Sequence, residues 1–415
     1  MKHVWRLGAA LGLGCMVVSA SLTVVGTQAA SAAKSPIVIG YITSETGVAS
    51  STFADGPGGA QARIDAVNAK GGVNGHKLVL VSEDDQSSPA QDQTAAQDLV
   101  QNKGAFLVIN YSPFAFASAK YLQQQGVPVV GSAFDGPEWA TQPNTNMFSF
   151  AAPASSPING KYYTYDYTGK FLHAIGVTKY AGLGYGISQS SQNSITAAFA
   201  SAKPFGISQC YLNQSVPFGG VDFTADTLQM KSAGCNGVTG SFVDASDVAL
   251  AGAVKHAGIK AKQLYFTGYD ENILKNPSAA ASFDGAYVST TVNFTTPNAA
   301  TSTMMSTLKK YDSGYSGGIP DFGLIGSYLS ADLAIKGLSV AGKNPTRSSF
   351  ITNLRKVGSY NAGGILPSPV TFQHFGTVGM FPKTACSYYA HLQNDKFTIY
   401  TGKAICGKRT SYPAT

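Results

Sequence analysis

AFLVINYSPFAFASAKYLQQQGVPVVGSA, residues 105–133, carries the plan of the fold in a short space. AFLVIN (105–110) is a brief apolar run, rich in β-branched and aromatic residues, and reads as a buried strand. FAFASAKYLQQQ (114–125) reads as a helix and VPVVGSA (127–133) as the next strand. Strand, helix and strand in this order make a βαβ unit, which implies parallel pairing across a crossover. Between the first strand and the helix stands YSP (111–113). Ser112 is open there to three readings: a nucleophile, a helix cap, or a donor to a bound anion.

The same alternation extends in both directions. Upstream lie a strand at 36–42, a helix at 58–70, a strand at 76–84 and a helix at 87–103 that opens with Ser and Pro89. After 133 the pattern pauses in FSFAAPASSPING (148–160), a Pro/Ser/Ala-rich crossover. It resumes with a helix at 158–175, a strand at 178–185 and a helix at 191–203. Strands at 206–212, 236–242 and 263–270 then alternate with helices at 222–233 and 246–257. FDGAYVSTTVNF (283–294) reads as a return strand and second crossover, followed by helices at 298–311, 321–341 and 346–356. The segment 385–406 alternates around NDK and reads as a hairpin closed by its own disulfide. The expected fold is α/β, with two Rossmann-like lobes of parallel strands joined by crossover hinges. Residues 34–152 plus 291–365 form the first lobe in this reading, and 153–290 plus 366–415 the second.

The ends and the composition narrow the class. MKHVWR supplies a positive start, the following residues to about 26 an apolar stretch, and TQAASAAK small residues for cleavage after Ala32 or Ala33. Residues 1–33 thus read as a secretory signal peptide, and the protein as exported. Lipid anchoring at Cys15 is disfavoured, because MVVSASLTVV after it stays apolar. No later stretch offers 18 uninterrupted apolar residues, the span that a membrane helix needs. Loss of Lys2 and Arg6 lowers the net charge from +7 to +5, and no Lys/Arg cluster suggests a nucleic-acid partner. Four cysteines remain after cleavage, Cys210, Cys235, Cys386 and Cys406. An even count in an exported chain argues for two disulfides. Three pairings are possible. Cys210–Cys235 and Cys386–Cys406 are preferred because each closes a short loop.

In open parallel sheets ligands sit at the carboxyl ends of strands. Those ends here carry TSETG (43–47), Ser112, SAFDG (132–136), GISQS (186–190), Phe242 and GYD (268–270). The set is hydroxyl, amide, small and aromatic, with few charges, as expected of a pocket for a small molecule.

GGVNGHKL (71–78), EDDQSSP (83–89), GVPVVGSAFDGPEW (126–139), DFTADTLQMKSAG (222–234) and HAGIKAKQLYFTGYD (256–270), in this order and spacing, resemble the receptors for leucine, isoleucine and valine of ABC importers. The resemblance spans roughly 36–370. It implies a type I periplasmic binding protein fold, closure around a small-molecule ligand, delivery to a membrane permease, a monomeric state and no chemistry. It also implies that Ser112 and the backbone of Ala133 hold an α-carboxylate and that Asp270 pairs with an α-ammonium. Several positions depart from the family. Asp135 stands where a threonine helps to hold the head group. Gln189, flanked by Ser188 and Ser190, replaces a tyrosine, and Phe242 lies beside another replaced tyrosine. Phe53 supplies an aromatic wall from the first lobe, and Tyr111 flanks Ser112. Asp135 would repel a carboxylate, so the ligand is expected to be amino-acid-like or amide-like, neutral or cationic, rather than a branched aliphatic amino acid.

Blander readings stand beside these. Ser112 and Ser188 are in positions to cap helices, Asp270 and Asp135 in turn-rich sequence. The EDD run (83–85) lacks the spacing of a calcium loop and reads as a solvated strand end. No G-x-S-x-G elbow supports a nucleophile at Ser112, and nothing calls for a cofactor or metal. The alternatives to a transport receptor are a ligand sensor of the same fold and, more remotely, a secreted hydrolase.

Overall fold

The computed structural model describes residues 34–133 and 136–414. Residues 1–33, the expected signal peptide with Cys15, and Asp135 lie outside the described residues. Two sheets organise the chain. The first is made of β1 (Lys34–Thr43), β2 (His76–Asp84), β3 (Leu107–Asn110), β4 (Val129–Gly131) and β5 (Met147–Ser149). Its order is β2-β1-β3-β4-β5, and every pairing is parallel. Leu107, Val108, Ile109 and Asn110 are all buried, the expected state of a central parallel strand covered on both faces.

The second sheet contains β6 (Lys161–Tyr165), β7 (Lys179–Tyr185), β8 (Ser208–Val216), β9 (Gly237–Ser241), β10 (Lys262–Tyr265), β11 (Tyr287–Thr290), β12 (Thr384–Gln393), β13 (Lys396–Ile399) and β14 (Ile405–Pro413). Strands β8-β7-β9-β10-β11 are parallel. From β11 onward, β12, β14 and β6 add antiparallel strands, with β13 folded back on β12. The antiparallel strands lie at one edge, where the hairpin expected at 385–406 joins the sheet.

Two local expectations also change. Residues 158–175 are not one helix: β6 occupies 161–165 and a helix begins at Tyr167. KYYTY is rich in aromatic and β-branched residues, and its edge is covered by β14, so strand propensity prevails. The 385–406 segment does form a hairpin, turning at Asn394 and Asp395, both with positive φ. Its disulfide, however, ties β12 to the third strand, β14, where Cys386 and Cys406 are register partners. The second disulfide joins Cys210 to Cys235, so both preferred pairings are present.

The helix Phe322–Ala341 is long and apolar enough to cross a membrane by length and composition. Fourteen of its 20 residues are buried, and it packs against the helix Gly56–Asn68 as a core helix. Gly326 is required there. A Cβ on it would fall 1.8 Å from Cζ of Tyr111, whose ring lies on the helix backbone. Arg347 donates to the Ala105 and Phe106 carbonyls, and Arg355 to Thr145 and Met147. The segment after β11 is thereby fastened to the first sheet.

Candidate functional site

Ser112 follows β3 and is 1% exposed. Its hydroxyl donates to Asp85 Oδ2 and accepts from the Phe114 N–H at 3.0 Å. Asp85 is fully buried. It also accepts from Ser44 Oγ at 2.6 Å and from the Ser87 N–H at 2.8 Å. Burial raises its pKa, and the Ser112 and Ser44 hydroxyls oppose that rise. The solvated strand end expected at 83–85 is thus wrong for Asp85, although Glu83 and Asp84 keep partial exposure. Among the described residues no group of three or more His, Cys, Asp or Glu is placed to hold a metal. The Ala133 N–H donates to Ser149 Oγ at 2.8 Å. Both groups assigned by resemblance to a ligand carboxylate are therefore bonded within the first half of the molecule.

Aromatic rings pack beside these groups. Phe53 meets Tyr111 edge-on at 5.7 Å and Phe322 at 5.8 Å. Tyr111 lies 5.8 Å from Phe322 and stacks on Phe150 at 6.3 Å. From the second sheet, Phe242 packs on Tyr185 at 4.6 Å and on Phe223 at 5.6 Å. Phe218, in the loop after β8, reaches Phe114 of the first half at 5.4 Å and Tyr185 at 4.9 Å. The Asp244 N–H donates to Thr52 Oγ1 at 2.8 Å, and the Glu271 N–H to the Ile319 carbonyl at 3.0 Å. The two halves meet face to face here.

Carboxylates converge at the same place. Asp270 caps the helix Glu271–Lys275 through the Ile273 N–H, and Asp321 caps Phe322–Ala341 through the Leu324 N–H. A Cβ at Gly323 would lie 3.1 Å from Asp321 Oδ1, 2.9 Å from the Thr52 carbonyl and 3.1 Å from Phe53 Cα. Asp321 therefore sits beside the aromatic wall. Burial raises the pKa of Asp270, and Asp55, from the other half, raises it further. Asp321 is pushed well up by burial, then by Asp55 and Asp270. Asp244 is pushed well up by burial, then by Asp270 and Asp247. The Thr52 and Thr267 hydroxyls ease that load, yet Asp244 Oδ1 has no hydrogen-bond partner. Among the described residues, the ion pairs are Arg63–Asp332, Lys103–Asp98 and Lys170–Asp166. None neutralises this group.

Two expected contacts are directed elsewhere. Ser188 caps the helix Gln189–Ala202 by accepting from the Ser191 N–H at 3.2 Å. Gln189 is exposed, and its amide reaches the Tyr162 hydroxyl on β6 at 3.3 Å. Asp244 and Asp321 escaped the sequence reading because each begins a helix, where Asp is common as a cap. Their shared signal was position: Asp244 stands two residues after Phe242 at a strand end, and Asp321 opens the most apolar helix.

Two α/β halves meeting through polar and aromatic side chains define a type I periplasmic binding protein fold, the architecture of solute-binding proteins. Residues 36–387 match the family model described as periplasmic binding protein, and the chain belongs to that family. It is 28% identical over 218 residues to the Leu/Ile/Val-binding protein BraC3 of Rhizobium johnstonii, covering 51% of this chain and 57% of that protein. It is 26% identical over 248 residues to the Leu/Ile/Val-binding protein homolog 3 of Brucella melitensis, covering 59% and 62%. The matched region thus spans about three fifths of these relatives. Among solved structures, a solute-binding protein of an ABC transporter from R. palustris in complex with benzoate gives a TM-score of 0.71 at 14% identity, covering 90% of this chain and 97% of that one. LivJ of Streptococcus pneumoniae in complex with isoleucine gives 0.70 at 17%, covering 90% and 99%. At these identities the structural likeness establishes the fold.

Proposed function

We propose that this chain is the extracytoplasmic solute-binding component of an ABC importer. It takes a small solute bearing a protonated nitrogen into the gap between its halves and presents the closed form to a membrane permease. The halves are taken as 34–152 plus 291–365 and 153–290 plus 366–415. The observation that carries the reading is the set Asp244, Asp270 and Asp321. These carboxylates come from both halves, are buried, and have no cation of their own. Water-poor surroundings make an unpaired carboxylate costly and a paired one favourable. A cation entering the gap relieves both halves at once, so it favours the closed form over the open one. The family's extracytoplasmic setting and the transporter assignments of its structural relatives support the importer role.

Thermal unfolding in the presence of amino acids, amides and amines tests this reading. A solute at 100 times its Kd should add about 2.7 kcal/mol of stability. Asp270→Asn keeps the helix cap but removes the charge, and should cancel that gain. An undiminished gain in this variant removes Asp270 from the site.

A further inference from the structure

We infer that the solute is an organic amine without a carboxylate, its ammonium held among Asp244, Asp270 and Asp321 and its apolar body against Phe53 and Phe322. This inference rests on the solute-binding reading above and narrows its substrate class.

The donors suited to a carboxylate are already engaged. An amino acid needs its carboxylate matched by N–H or O–H groups. The Ser112 hydroxyl is given to Asp85, and the Ala133 N–H to Ser149 Oγ at 2.8 Å. Asp85 cannot release Ser112 without losing a partner in a site with no solvent access, since it is 0% exposed. The neighbouring acids act in the same direction. Asp321 and Asp55 come from one half, and Asp244 and Asp270 from the other, and they raise one another's pKa. A ligand carboxylate among them would meet the same opposition, whereas an ammonium favours their ionised forms.

One oxygen of the cluster also lacks a donor. Asp244 is 6% exposed, and its Oδ1 accepts no hydrogen bond. Buried carboxylate oxygens are ordinarily bonded, so this one has an acceptor site left for a donor from outside the chain. An ammonium supplies three N–H donors and one positive charge. The adjacent rings add to the same preference, because the face of an aromatic ring attracts a cation. Phe53 and Phe322 stand next to Asp321 and meet each other at 5.8 Å.

Isothermal titration of the purified full chain with matched compounds decides the matter. One series is isoamylamine, leucine and isocaproate, and the other phenethylamine, phenylalanine and hydrocinnamate. Within a series the apolar body is constant while the carboxylate or amine is removed. The amine of at least one series should bind at least about tenfold more tightly than its amino acid, with the acid unbound. Asp321→Asn, which retains a capping oxygen, should weaken that amine at least about tenfold without lowering the melting temperature. Tighter binding of an amino acid or an acid overturns the amine inference and leaves the solute-binding reading standing. Binding by no member of either series also overturns it. If a panel of amides, sugars and organic acids then gives no heat either, the solute-binding reading falls with it.

Discussion

The Ser112 hydroxyl donates to Asp85, a carboxylate without solvent contact just beyond the end of β2. Ser112→Ala removes one of the three donors that Asp85 holds and leaves a buried oxygen short of a partner. The expected loss is about 1–3 kcal/mol of stability, read from urea unfolding. If Ser112 instead acts chiefly by touching solute, the variant should keep its stability and lose affinity.

Asp92 makes a second buried carboxyl with a readable consequence. It is 0% exposed, accepts from Asn110 Nδ2 at 2.8 Å and from the Ser118 N–H at 3.1 Å, and is raised by burial to about 7. Between its ordinary value of 3.8 and about 7 the folded chain keeps this proton and the unfolded chain has lost it. Folding then takes up a proton, so this contribution is fullest below the ordinary value and is lost as pH rises through about 7. The slope is about 1.4 kcal/mol per pH unit for one group. Asp92→Asn removes the titrating group and should flatten the stability profile across that window, while Asn110 Oδ1, now without a partner, accepts from the new amide once the Asn110 side chain turns over. Urea titrations at several pH values measure the slope. An unchanged slope in the variant would assign it to other groups.

Phe218 links the halves through Phe114 at 5.4 Å and Tyr185 at 4.9 Å. An aromatic pair of this kind contributes roughly 0.5–1.5 kcal/mol beyond simple burial. Phe218→Ala should therefore shift the protein toward the open form and weaken solute binding about three- to tenfold. Small-angle scattering of the free variant should show a larger radius of gyration. Unchanged scattering and affinity together would mean that Phe218 does not favour closure.

The disulfide between β12 and β14 spans a sequence separation of 20 residues. Replacing both Cys386 and Cys406 by Ser should cost about 3 kcal/mol by the chain-entropy account, again measured in urea. A loss well below 1 kcal/mol would show that the β14 ladders with β12 and β6 already fix this segment.

Much of this architecture is written in periodicity. The alternation from 105 to 133 places β3, a helix and β4 correctly, and the helices expected at 298–311, 321–341 and 346–356 match within a few residues those at Ala299–Tyr311, Phe322–Ala341 and Arg347–Leu354. What escaped depends on distant partners. KYYTY becomes β6 because β14, more than 200 positions later, pairs with it. Asp85 looks like the last of three acids on a wet strand end until Ser44 and Ser112 fold over it. Asp270 and Asp321 cap helices and Asp244 is the first residue of one, which explains each of them locally. Only the meeting of the halves shows that these three helix-start carboxyls influence one another. Gln189 illustrates the converse, since its strand-end position suggested the gap and its amide reaches Tyr162 instead.

Substitution of Asp244 by Asn tests the central claim most directly, through two readings of opposite sign. The claim is that one oxygen of this carboxyl, Oδ1, is left without a donor for the sake of a cationic solute. Without solute, Asp244→Asn should unfold at a higher temperature than the parent chain, by about 1–3 kcal/mol in stability, because a buried carboxyl that neighbouring acids oppose, with one oxygen short of a partner, is gone. With solute, the rise in melting temperature seen for the parent should vanish. A variant that is less stable alone and still gains the full increment from solute would contradict the account.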